Sequence, residues 1–122
     1  RADFSLAARY AIPVLNADPG DPEANFGMGM NFLVEKQYTR AAEHLRRVLE
    51  RRPKEAAAYN NLAVCLVNMN DFSGAEKMAG EALKLMPKSP EIKETLELIA
   101  KAKAEAAKRT LPGSLKTKEN KK

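Results

Sequence analysis

The sequence of 122 residues predicts an all-α protein, an array of antiparallel helix pairs, and three observations carry that prediction. Prolines stand at positions 19, 53 and 87, and a fixed spacing of this length marks helical arrays. Between Pro53 and Pro87, the residues Tyr59, Leu62, Ala63 and Leu66 recur at helical spacing, one face of a helix from about Glu55 to Asn68. After the turn NMND, the residues Phe72, Ala75, Ala79, Ala82 and Leu83 repeat that spacing up to Pro87. The unit is therefore two helices, A and B, joined by a short turn.

Residues 1–19 align with helix B of a partial upstream repeat. Asp3-Phe4-Ser5 answers Asp71-Phe72-Ser73, and Ala7, Ala11, Val14 and Pro19 keep the later spacing. No helix A precedes them and no initiating Met is present, so the chain reads as a piece of a longer protein. The alternative is an N-terminal cap, whose second half Pro13 would kink or loosen.

Residues 20–53 form the first full repeat. Asp21 is placed as N-cap and Pro22 at the first helical position, opening a helix A to about Glu35. Lys36 and Gln37 make the turn. Helix B from about Tyr38 to Arg51 carries Ala41, Leu45, Val48 and Leu49 inward, and Arg40, Arg46, Arg47, Arg51 and Arg52 on its other face. Arginines near a helix C-terminus complement the macrodipole and pair with Glu43 and Glu50, so this face is expected to be a solvated convex surface.

Residues 54–87 form the second repeat. Its inner face on helix B is built of alanines at 75 and 79, which lets the two helices approach closely, while Tyr59 and Phe72 supply bulk. Residues 88–109 begin like a third helix A, with Ser89 as N-cap, Pro90 at the first helical position and Glu91 just inside. Apolar surface thins out beyond Leu98 and Ile99, as suits a solvating C-terminal cap helix. Residues 110–122 hold Pro112, Gly113 and then polar residues, and read as a disordered basic tail.

The order of aromatic, Leu, small and large apolar residues, then Ala, small, Ala and Pro, resembles the tetratricopeptide repeat (TPR). Tyr59, Leu62, Ala63, Leu66, Phe72, Ala75, Ala79, Ala82 and Pro87 carry the match in one copy, and Met28, Gly29, Phe32, Tyr38, Ala41, Leu45, Val48 and Pro53 carry it in the other. Asn25 stands where the pattern wants an aromatic. The resemblance implies a right-handed α-solenoid of about six helices whose concave surface, lined by A helices, receives a segment of another protein.

Helical geometry then nominates the groove. Opposite the Met28 and Phe32 stripe lie Glu23, Phe26, Met30, Leu33 and Val34; on the second A helix lie Ala57, Asn60, Asn61, Val64, Val67 and Asn68; on the third lie Glu91, Glu94, Thr95 and Leu98. The groove is expected to be apolar at one end and acidic at the other, with asparagines to hydrogen-bond an extended backbone. Phe26 and Met30 have a second reading, as packing surface for a missing upstream repeat. Co-chaperone TPR domains hold a C-terminal carboxylate with Lys and Asn on the first A helix, Asn on the second, and Lys and Arg on the third. The corresponding residues here are Phe26, Met30, Asn61, Glu91 and Thr95, so only Asn61 matches and no carboxylate clamp is expected.

Other function classes find little support. One His, one Cys and no Gly-rich loop before a helix leave no catalytic constellation, no metal site and no cofactor. His44 lacks a second ligand at metal spacing, and Cys65, flanked by apolar neighbours, reads as a small buried hydrophobe. The net charge of +5 belongs to the C-terminal end, the last residues of the cap helix and the tail: six of the 21 basic and one of the 16 acidic residues lie in 108–122, so the rest is formally neutral. Nucleic acid is accordingly not the expected partner. Self-assembly through the apolar helix from Phe4 to Leu15 is the alternative to peptide or protein docking, with a polyanion binder third. No run is apolar and long enough to span a membrane. Compartment is left open: cytoplasm is the default, and a periplasmic or secreted location is compatible with one cysteine.

Overall fold

The computed structural model describes residues 6–110. Six α-helices follow one another, α1 (Leu6–Ala17), α2 (Pro22–Val34), α3 (Tyr38–Arg51), α4 (Ala56–Asn68), α5 (Phe72–Leu85) and α6 (Pro90–Thr110), with no strand among the described residues. The Asp3-Phe4-Ser5 alignment and the tail from Leu111 onward lie outside them.

The helices begin where the capping chemistry says they should. The Asp21 carboxylate accepts from the Ala24 N–H at 2.9 Å with Pro22 at the first position of α2, and Asp71 accepts from the Gly74 N–H at 3.0 Å to open α5. Ser89 Oγ accepts from the Ile92 N–H at the start of α6. Each such bond satisfies one of the orphan donors of a helix N-terminus. α1 runs through Pro13 without a break, and Pro13 is exposed.

Both A-to-B turns are built alike. The Gln37 N–H reaches Phe32 O while Lys36 N–H reaches Leu33 O, and the Asp71 N–H reaches Leu66 O while Asn70 N–H reaches Val67 O. This is the Schellman pattern, and it requires a left-handed residue at Lys36 (φ 62°) and Asn70 (φ 64°). The residue after the left-handed one starts the next helix, so the chain reverses within three residues.

Packing follows nearest neighbours: α2 on α3, α4 on α5, then α1 on α2, α3 on α4 and α5 on α6. Small residues set the close approaches. Ala41, Ala42, Ala63, Ala75 and Ala79 are fully buried, and a methyl group on Gly29 would come within 3.0 Å of the Leu45 side chain. Among the A helices α4 meets both α2 and α6, whereas the B helices α3 and α5 do not touch. That asymmetry curves the solenoid and puts its concave side on the A helices. The main core runs from Ala41 and Leu45 through Leu62, Cys65 and Leu66 to Ile99, and a smaller cluster of Ala8, Ala11, Ala24 and Met28 joins α1 to α2.

Candidate functional site

The curvature leaves a cavity of about 390 Å³ on the concave side, at the junction of three A helices and the loop before α6. Met30 comes from α2, Ala56, Ala57, Asn60 and Asn61 from α4, and Met86, Ser89, Glu91 and Ile92 from the end of α5 and the start of α6. Thus Met30, Asn60, Asn61, Glu91 and Ala57, placed in the groove by sequence, do come together.

Other nominated residues fall elsewhere. Val67 is 4% exposed and sits in the core with Leu66 and Ala75, a correction to its groove assignment. The reason is positional: α4 is packed by α3, α5 and α6 and also meets α2, so its buried arc is wider than that of a helix covered on one side. Thr95 is likewise buried, its hydroxyl donating to Glu91 O. Phe26 packs against the main core and lines a separate recess with Pro22, Glu23, Val48, Arg52 and Glu55, where Glu23 and Arg52 pair at 3.5 Å. Leu33 and Val64 are half-buried, Leu33 against the core, while Val34, Asn68, Glu94 and Leu98 are exposed.

The asparagines differ from one another. Asn61 and Asn68 each turn their amide nitrogen onto their own helix, donating to Ala57 O at 2.9 Å and Val64 O at 2.8 Å. Asn60 Oδ1 is buried with no hydrogen-bond partner, a state that costs about 1–3 kcal/mol until a donor arrives.

Met86, Ser89 and Ile92 were not anticipated as lining residues. They belong to the B-to-A loop and the first turn of α6, and the short break at Pro87 before Ser89 and Pro90 was the available signal.

The remaining chemistry-bearing residues are structural. Asn25, in place of the aromatic, is fully buried; its Nδ2 donates to the carbonyls of Pro19 and Asp21, so its Oδ1 accepts from His44 Nδ1 at 2.8 Å. Two carbonyl acceptors fix the amide orientation, and that fixes the proton on His44 Nδ1. The imidazole stacks on Phe32 at 5.5 Å, with the Arg40 guanidinium 5.7 Å from the Phe32 ring centre. Burial, then the nearby Arg47 charge, lowers the His44 pKa from its ordinary value. Burial also pushes the Cys65 thiol up to about 11, which makes it a poor nucleophile. Arg51 leaves the supposed solvated arginine face to grip Asp18 with two hydrogen bonds of 2.8 and 2.9 Å, tying α3 to the loop before α2. That grip lowers the Asp18 pKa. Among the described residues no three His, Cys, Asp or Glu side chains gather as a metal site would need.

An array of helix pairs curved around a concave pocket defines a helical-repeat interaction module. The tetratricopeptide repeat family profile matches residues 32–107, well over half of the chain, and the chain belongs to that family. Its fold is similar to the first TPR of Spaghetti (RPAP3) bound to the HSP90 peptide SRMEEVD, with a TM-score of 0.73 and 18% identity over 80% of this chain and 77% of that one. It is also similar to a MamA mutant, with a TM-score of 0.69 and 20% identity over 92% of this chain and 64% of that one. The family is generally a non-catalytic scaffold, and its fold supports protein–protein interaction. No helix of the described residues is long and apolar enough to cross a membrane.

Proposed function

We propose that this chain is a docking module whose concave groove holds an extended segment of another protein. The observation that carries the reading is the single cavity in which Met30, Asn60, Asn61 and Glu91 converge from three A helices. A peptide laid there meets apolar walls and side-chain hydrogen-bonding groups at once, the combination that grips a backbone while sampling its side chains. The similar Spaghetti domain was captured with a peptide, which supports the kind of partner. The mode of grip differs from a carboxylate clamp. Phe26 is in another recess, Thr95 is buried and Glu91 is acidic, so Asn61 alone remains of that constellation.

The test is a defined library of blocked synthetic peptides screened against the whole chain, followed by Ala57→Gln, which places a neutral side chain in the cavity. Ala57 is exposed, so the melting temperature is expected to stay within a degree or two while selected peptides bind at least fivefold more weakly. Peptides that bind the variant as well as the parent would place the functional surface outside this groove.

A second reading, self-association through α1, rests on Leu6 at 80% and Tyr10 at 70% exposure, one turn apart on that helix. Light scattering from micromolar to near-millimolar protein decides it: a constant monomer mass removes this reading.

A further inference from the structure

We infer that the central cavity of the groove is a socket for a cationic side chain, a lysine or arginine of the bound segment. The inference rests on the groove reading above and adds which chemistry the groove selects. Met30, Met86 and Ala57 provide apolar walls that suit an aliphatic stem, and the flexible thioethers adapt to its path. On the cavity wall the charge is of one sign, with Lys88 lining only the adjoining recess. Glu91 is the only charged residue on the cavity wall among the described residues, and Glu94 adds a second exposed carboxylate one turn along α6.

The hydrogen-bonding groups point the same way. Asn60 Oδ1 is an acceptor without a partner but shielded from solvent, so the amide must turn outward for it to meet a donor in the cavity. Asn61 gives one of its two amide N–H groups to Ala57 O, and its Oδ1 can accept. Against these acceptors the side-chain donors of the wall are all neutral: Asn60 Nδ2, the second Asn61 N–H and the Ser89 hydroxyl. A helix N-terminus ordinarily invites an anion, but this one is largely used: Pro90 has no N–H and the Ile92 N–H is held by Ser89 Oγ. A carboxylate in the cavity would meet Glu91 and leave the acceptors unmatched. An ammonium or guanidinium supplies several donors and the opposite charge.

Four blocked tripeptides of the form acetyl-Leu-X-Leu-amide, with X as Lys, Arg, Gln or Glu, test this against the whole chain carrying labelled methionine methyl groups. The expected result is that the Lys and Arg peptides shift Met30 and Met86 but leave Met28, Met69 and Met78 unmoved, with the Gln peptide at least tenfold weaker and the Glu peptide silent. Glu91→Gln should bring the Lys and Arg peptides down to the level of the Gln peptide, while its circular dichroism melt matches the parent. Equal binding of the Gln and Lys peptides, no loss in Glu91→Gln, or no shift at Met30 and Met86 with any of the four would overturn the socket. Failure here is separable from failure of the groove itself: library peptides that still depend on Ala57 would keep the groove and discard only its preference for cations.

Discussion

At the scale of single residues, the Asn25–His44 pair shows how a departure from the family pattern is absorbed. An aromatic at this position would fill space; Asn25 instead bonds the turn carbonyls of Pro19 and Asp21 and one ring nitrogen of α3. His44 then carries a pH dependence. Its folded pKa lies below the ordinary 6.5, so as pH falls through 6.5 the unfolded chain takes up a proton that the folded one resists, and stability drops. The melting temperature is expected to fall between about pH 7 and pH 5, and His44→Gln, whose amide can still donate to Asn25, should flatten that slope. A slope unchanged by the substitution would mean that His44 is equally solvated in both states. The left-handed position at Lys36 offers a second measurement. Its counterpart Asn70 tolerates that conformation far better than a lysine does, so Lys36→Asn should stabilise the protein by about 0.5–1 kcal/mol in denaturant melts. Destabilisation would indicate that the Lys36 side chain makes contacts worth more than the relieved strain.

At the scale of elements, the two repeats test each other because they share geometry and differ in chemistry. α5 starts from Asp71 with a side-chain cap, and α3 starts from Gln37 without one. Gln37→Asp should therefore stabilise by about 0.5–1.5 kcal/mol, visible as a raised denaturation midpoint with an unchanged slope. The contact between α4 and α5 gives the opposite case. Ala75 is fully buried where those helices meet, and Ala75→Leu forces added methylenes into that interface at a cost of about 1–3 kcal/mol. A melt indistinguishable from the parent would show that the helices can part there without penalty.

At the scale of the whole molecule, stability is a chain of neighbour interfaces, so damage at one end need not reach the other. The core thins from the central α4 toward α1, whose buried residues are two alanines. Hydrogen exchange should accordingly be slowest in α4 and fastest in α1, and protection in α1 equal to that of α4 would indicate a single cooperative unit. The Asp18–Arg51 grip spans that weaker end and is half-exposed, so Arg51→Ala should raise exchange in α1 and α2 more than in α5.

The period of the prolines, the 3.6-residue apolar spacing and the caps at Asp21, Asp71 and Ser89 are local properties, written in neighbouring residues, and they determined the helices and their pairing from the sequence alone. The groove was legible in part, because a helical wheel says which residues oppose the buried stripe: Met30, Asn60, Asn61 and Glu91 were found that way. Burial of Val67 and Thr95, the separate recess of Phe26 and the part played by Met86 and Ser89 depend on how many neighbours each helix acquires and on where a loop folds back. Those are decided between elements distant in sequence, so only the tertiary structure could supply them. Asn25 makes the same point at its smallest, since its partners lie both a few residues away and on the next helix, and spacing alone names neither.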